Sequence, residues 1–194
     1  MAQRVLRKTS PGKIARPRKV SRHILEGIRL FATDVDGVLT DGGMYYAESG
    51  DEWKKFNTRD GMGIKLLQRA GIVTAIVTQE RTKLVARRAE KLAIPELHQG
   101  VMDKLSCVRE MAVRYGITLS QVAYIGDDIN DLETLKAVGF SAAPADGIPL
   151  VVATVGYVCQ KKGGEGAVRE IIEMIMNAQG RSSTFHVPSS EKRP

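Results

Sequence analysis

Thr33-Asp34-Val35-Asp36-Gly37-Val38-Leu39-Thr40-Asp41-Gly42 closes an apolar run over residues 28–33, and the fold turns on how that junction is read. The run predicts a strand. In an extended segment residues two apart point the same way, so Asp34 and Asp36 are expected to converge just past the strand's carboxyl end. Open parallel sheets bind their ligands at that place. Two carboxylates held close repel, and the arrangement suits a bound cation or a shared proton. Asp and Gly are also common turn residues, so this stretch alone fits a solvated turn equally well.

Downstream the chain alternates β-branched runs with amphipathic stretches, which predicts one α/β domain built on a parallel sheet flanked by helices. A hairpin is expected from residues 43–48 and 52–56 around Ser49-Gly50-Asp51, then a helix over 61–70 ended by Gly71. A buried strand over 72–77, a helix over 81–92 and a helix over 103–115 follow, with Pro95 after the second. Strands over 122–125 and 140–142 bracket a helix over 131–138, and the segments 148–153, 157–159 and 166–178 complete the set.

The strand over 122–125 runs into Gly126-Asp127-Asp128-Ile129-Asn130-Asp131, a second acidic loop. If the two strands are parallel neighbours, Asp127 joins Asp34 and Asp36 around one hard cation, and oxygen-only ligation suits Mg²⁺. Thr78 ends a strand with a hydroxyl and Lys104 opens a helix with an ammonium. A metal, a hydroxyl and an ammonium around a carboxylate are what a phosphoryl group with spread negative charge requires.

The 194 residues carry 29 Lys plus Arg against 22 Asp plus Glu, a formal charge of +7. Eight of the cations lie in residues 1–22, which hold no acid, so 21 cations face 22 acids in residues 23–194, a net of −1. The basic balance therefore belongs to a tail, and the rest has the size and charge of an ordinary enzyme domain with no nucleic-acid partner. Residues 1–22 are read as a disordered basic extension, with a targeting peptide as the alternative, 23–180 as the domain, and 181–194 as a polar tail. No apolar run is long enough to span a membrane, no secretory signal is visible, and Cys107 and Cys159 suggest neither zinc nor a disulfide framework. A cytoplasmic location without membrane attachment is expected.

The order Asp34-x-Asp36-Gly37, Thr78, Lys104, Gly126-Asp127-Asp128-x-x-Asp131 resembles the four motifs of the haloacid dehalogenase superfamily over about residues 28–178. The resemblance implies a Rossmann-like haloacid dehalogenase fold. It implies Asp34 as the nucleophile that forms an aspartyl-phosphate and Asp36 as the acid–base partner. Thr78 and Lys104 would hold phosphoryl oxygens, Asp34, Asp36 and Asp127 would ligate Mg²⁺, and Asp128 and Asp131 would orient it.

Further stretches, 41–46, 52–57, Arg59-Asp60-Gly61, Lys91-Leu92 and 163–170, are similar to the small capless phosphatases of 3-deoxy-2-ulosonic acid phosphates. About 40 residues separate Asp36 from Thr78, and a hairpin and a helix use most of them, so a protruding β-hairpin and no large cap domain are expected. The resemblance implies a homotetramer with hairpins associated and sites at subunit interfaces. Met44, Tyr45, Tyr46, Trp53 and Phe56 make the ribbon apolar enough for an interface. The glycines of 163–166 are expected either as a flexible helix lead-in or as a loop near a neighbour's site.

The substrate implied is a small anionic sugar-acid phosphate, bound by Asn57, Asp60, Thr78, Glu80, Arg88 and Lys91. Octulosonate phosphatases of the group usually carry Thr-Gly-Arg where this chain has Thr78-Gln79-Glu80. A carboxylate at Glu80 would repel the substrate's own, and together with Arg88 and Lys91 it resembles the enzymes acting on nine-carbon nonulosonate 9-phosphates. That substrate is the expectation, with 3-deoxy-manno-octulosonate 8-phosphate as the alternative.

Overall fold

The computed structural model describes residues 20–181. The elements in chain order are α1 (Arg22–Gly27), β1 (Leu30–Thr33), β2 (Tyr45–Tyr46), β3 (Glu52–Trp53), α2 (Thr58–Arg69), β4 (Val73–Thr78), α3 (Lys83–Leu92), β5 (Glu96–Gln99) and α4 (Lys104–Arg114). After them come β6 (Val122–Ile125), α5 (Leu132–Ala137), β7 (Phe140–Ala143), α6 (Pro149–Thr154), β8 (Tyr157–Val158) and α7 (Ala167–Ala178). Among the described residues six strands form one parallel sheet in the order β5-β4-β1-β6-β7-β8. β1 lies in the middle, with β4 on one side and β6 on the other, so the carboxyl ends that carry Asp34, Thr78 and Asp127 are neighbours.

Strand alternation sorts the side chains into two cores. Phe31, Ile76, Ala123 and Ile125 pack against α1, α2, α3 and α7 through Ile64, Leu67, Val85 and Ile172. Leu30, Ala32, Ala75, Val77, Val122 and Tyr124 face α4, α5 and α6 through Val108, Met111, Leu135 and Val151. Burial on both faces locks the register, because a one-residue slip would exchange the two sets, and each fully buried Leu, Ile or Phe is worth roughly 1.5–3 kcal/mol. Continuing the alternation of Leu30 and Ala32 puts Asp34 on the side of α4, whose first residue is Lys104.

The helices start where side chains satisfy their first N–H groups. Asn57, Thr82 and Asp103 accept from Arg59, Val85 and Ser106. The helices expected over 61–70 and 81–92 therefore begin at Thr58 and Lys83, on either side of the expected starts. The hairpin pairs fewer residues than expected, Tyr45 with Trp53 and Tyr46 with Glu52, with Thr40 bridged to Phe56 at its base. No other domain stands between Asp36 and Thr78; the hairpin and α2 occupy the interval. No helix among the described residues is long and apolar enough to cross a membrane. Of the expected tails, residues 1–19 and 182–194 lie outside the described residues, and α1 already begins at Arg22.

Candidate active site

Asp34 is buried at the end of β1, and its carboxylate meets Lys104 Nζ at 2.8 Å. The same ammonium lies 2.7 Å from Asp131 Oδ1, which also accepts from the Tyr124 hydroxyl at 2.6 Å. Asp131 Oδ2 accepts the backbone N–H of Asp127 at 3.1 Å and of Asp128 at 3.4 Å. Both oxygens of Asp131 are thus committed to holding the loop and the lysine. Asp128 is spent as a cap, accepting from Ile129 N at 2.7 Å.

Ligand oxygens of Asp34, Asp127 and Asp131 lie within 4.8 Å of one another. Three carboxylates against one ammonium leave an excess of negative charge in a volume shielded from water. Burial, then Asp131, pushes the Asp34 carboxyl up to about 7. Burial, then Asp34 and Asp131, pushes Asp127 up to about 8. Burial works against the Lys104 charge as well, but Asp34 and Asp131 outweigh it and hold its pKa above the ordinary value. Asp127 Oδ1 is buried with no hydrogen-bond partner. A buried, all-oxygen anionic cluster with one partnerless oxygen, Asp127 Oδ1, fits a hard divalent cation, which would supply the missing positive charge.

Asp36 does not point where strand alternation would aim it. The chain turns at once after Asp34, with the N–H groups of Val38, Leu39 and Thr40 all donating to Val35 O, so the extended geometry ends before Asp36. Its carboxylate lies outside the cluster of Asp34, Asp127 and Asp131 and meets Lys54 Nζ at 2.6 Å. Lys54 also pairs with Glu80, on the loop after β4. Lys54 was not among the residues singled out from sequence, and its partners lie 18 and 26 positions away, beyond any local pattern.

Thr78 is buried at the end of β4, beside β1. Four of the residues expected to bind substrate have other neighbours. Asp60 is buried, and its Oδ1 accepts Arg169 N at 2.8 Å, anchoring the start of α7; burial pushes its carboxyl up to about 6. Asn57 caps α2 and donates to Gly164 O at 3.1 Å. Arg88 donates to Asn57 O at 2.8 Å and lies 5.4 Å from the centre of the Phe56 ring. Glu80 has its charge met by Lys54. Lys91 is exposed in the last turn of α3.

The glycines of 163–166 are built into this chain's own site. Gly164 N donates to Val38 O at 3.0 Å, and a methyl on Gly163 would overlap Gly37 O. Gly37 is itself in the left-handed region, φ 75°, and a methyl there would overlap the Asp127 carboxylate. Neither of the two expected descriptions of residues 163–166, a flexible lead-in or a loop at a neighbour's site, includes this packing. Gly163→Ala is expected to displace the turn that carries Asp36 and cut kcat about 100-fold, with Tm lowered by a few degrees; steady-state kinetics and a thermal melt check it.

Residues 78–172, which carry Thr78, Lys104 and Asp127, match the family described as haloacid dehalogenase-like hydrolase. Sheet, site and family together place the chain among the phosphoric monoester hydrolases of that class, whose phosphatases use a divalent metal. The 3-deoxy-D-manno-octulosonate 8-phosphate phosphatase KdsC of Salmonella typhi is 42% identical over 165 residues, 84% of this chain and 88% of that one. A crystal structure of the Moraxella catarrhalis 3-deoxy-D-manno-octulosonate 8-phosphate phosphatase in complex with magnesium ion, phosphate ion and KDO superposes with a TM-score of 0.80 at 41% identity, covering 82% of this chain and 91% of that one. A cobalt-bound phosphatase of the same kind from Haemophilus influenzae gives 0.80 at 41% identity over 84% and 95% of the two chains. This chain belongs to the capless 3-deoxy-2-ulosonate-phosphate phosphatase group of the haloacid dehalogenase superfamily.

Proposed function

We propose that the protein hydrolyses 3-deoxy-D-manno-octulosonate 8-phosphate, with Asp34 as nucleophile and magnesium as the metal. What carries the substrate is the similarity to 3-deoxy-D-manno-octulosonate 8-phosphate phosphatases, 42–46% identical over 79–84% of this chain. The nine-carbon expectation rests on Glu80 taken together with Arg88 and Lys91, and of these Glu80 is paired with Lys54. Arg88 is engaged with Asn57 and Phe56.

The chemistry follows from the neighbours of each group. Asp34 Oδ2 is held by Lys104, which aims the carboxylate and leaves the ammonium a further N–H for a phosphoryl oxygen. Attack by Asp34 on phosphorus breaks the bond to the sugar oxygen, and Asp36 donates the proton that oxygen needs to leave as an alcohol. Asp36, now ionised, takes a proton from the water that hydrolyses the aspartyl-phosphate and is restored. The Thr78 hydroxyl and Lys104 hold phosphoryl oxygens as charge builds on them. Asp34 and Asp127 would hold the cation, which screens the carboxylates from the incoming phosphate, while Asp131 and Asp128 keep the loop in place.

The hairpin's exposed Tyr46 and Trp53, 69% and 66% accessible, support a contact with a second copy of the chain, as in the expected tetramer. The basic residues 1–19 have no part in this reading. The substrate choice is tested by comparing kcat/KM for the octulosonate 8-phosphate and a nonulosonate 9-phosphate with Mg²⁺ present. A preference of at least tenfold for the eight-carbon acid is expected, and the reverse preference would overturn it.

A further inference from the structure

We infer that Lys54 is a positioning residue for Asp36, and that Glu80 acts through Lys54 and not on the substrate. This rests on the reading of Asp36 as the acid–base group. Lys54 follows β3 at the foot of the hairpin, and its side chain, 1% exposed, reaches Asp36 Oδ1 at 2.6 Å and Glu80 on the loop after β4. The two carboxylate side chains are 30% and 40% exposed, so the ammonium is more enclosed than either acid it meets. A surface lysine keeps its head group in water and gains little from a pair. One that surrenders its hydration does so where opposite charge on two sides compensates.

The contact does something the backbone does not. Asp36 sits on the turn that begins at Val35, past the end of strand alternation, so no strand geometry aims its carboxylate. The hydrogen bonds to it from Lys54 and from Thr40 Oγ1, the latter at 3.4 Å, both fall on Oδ1, so that edge of the carboxylate is held and Oδ2 is left to face the site. Glu80 takes a second donor of the same ammonium, so Lys54 is spanned between β1's turn and β4's loop and does not collapse onto Asp36. Because Lys54 belongs to the hairpin, the aim of Asp36 depends on how the hairpin is seated. Lys55 and Tyr45 add to that seating through Asp41, at 3.2 and 3.1 Å.

The test uses the full-length protein with Mg²⁺, assayed on 3-deoxy-D-manno-octulosonate 8-phosphate and on p-nitrophenyl phosphate, so that the result does not depend on the sugar. Lys54→Met is expected to lower kcat about 10- to 100-fold with KM within about twofold, and Lys54→Arg to recover part of the loss. Asp36→Asn/Lys54→Met is expected to be no slower than Asp36→Asn alone, because a residue that works through Asp36 has nothing left to position. A wild-type kcat in Lys54→Met, a raised KM with kcat unchanged, or a double variant slower by the full single-variant factor would overturn the inference. Asp36→Asn turning over at the wild-type rate would instead remove the acid–base reading beneath it. Lys54→Gln, which keeps a donor and loses the charge, carries the same comparison if melting curves show that the methionine variant does not fold.

Discussion

Asp34→Asn is expected to lower kcat by about four orders of magnitude or more on any phosphate monoester, with the fold intact. An amide nitrogen cannot attack phosphorus, and among the described residues no other carboxylate stands in the same relation to Lys104. Asp131 touches the ammonium too, but its two oxygens already hold Tyr124, Lys104 and the backbone of Asp127 and Asp128. Asparagine matches the volume of aspartate, so the buried site is not opened. Removing the charge also relieves the cluster, since Asp34 is held up at about 7 chiefly by burial and then by Asp131. The metal-free variant is therefore expected to melt at or above the wild-type temperature at pH 8. Turnover above about a thousandth of wild type would disprove Asp34 as the nucleophile, and a lower Tm would show that the carboxylate holds Lys104 in place.

Sequence reading succeeded where a local pattern carried the information. β1, β4 and β6 are apolar runs buried on both faces, and the chemistry sits on the residues that end them, so Asp34, Thr78 and Asp127 are legible as neighbours once the sheet is taken as parallel. β5 was invisible because Glu96-Leu97-His98-Gln99 lies at the sheet edge, half-buried along its length and without alternation. α1 was missed because its six residues bury only Leu25. What the sequence does not disclose in the site are the tertiary contacts of its residues. Asp60 sits in the first turn of a helix, where an acid is favourable for local reasons, and only the packing of α7 shows that it is buried against Arg169 N. Glu80 reads as a free charge until the hairpin brings Lys54 across 26 positions to pair with it, while the octulosonate substrate is supported by the relatives and not by any local pattern.

Removing the metal is expected to make stability fall as pH rises. A carboxyl whose pKa is higher in the folded than in the unfolded chain keeps its proton longer when folded. Raising the pH from about 4 then draws protons from the unfolded chain first and favours unfolding. Asp34 at about 7 and Asp127 at about 8 act in this sense, and Asp60 at about 6 adds to it, so the metal-free protein should lose Tm steadily between about pH 4 and 8. Mg²⁺ opposes the trend by binding the ionised cluster of the native state. At about 100 times its dissociation constant it contributes roughly 2.7 kcal/mol, which for a domain of this size is about 5–10 °C in Tm, and more at pH 8 than at pH 5. Asp127→Asn separates the two effects. It removes the negative charge of the carboxylate whose Oδ1 is buried without a partner, so the Mg²⁺ shift should shrink to about 1 °C or less, the metal-free pH slope should flatten, and kcat should fall about 1000-fold. Scanning calorimetry with and without chelator at pH 5 and 8 measures all of these except kcat, which steady-state assays give. An unchanged Mg²⁺ shift in Asp127→Asn would mean that the cation is held elsewhere. A metal-free Tm that rose with pH in the wild type would mean that these carboxyls are not held above their ordinary values at all.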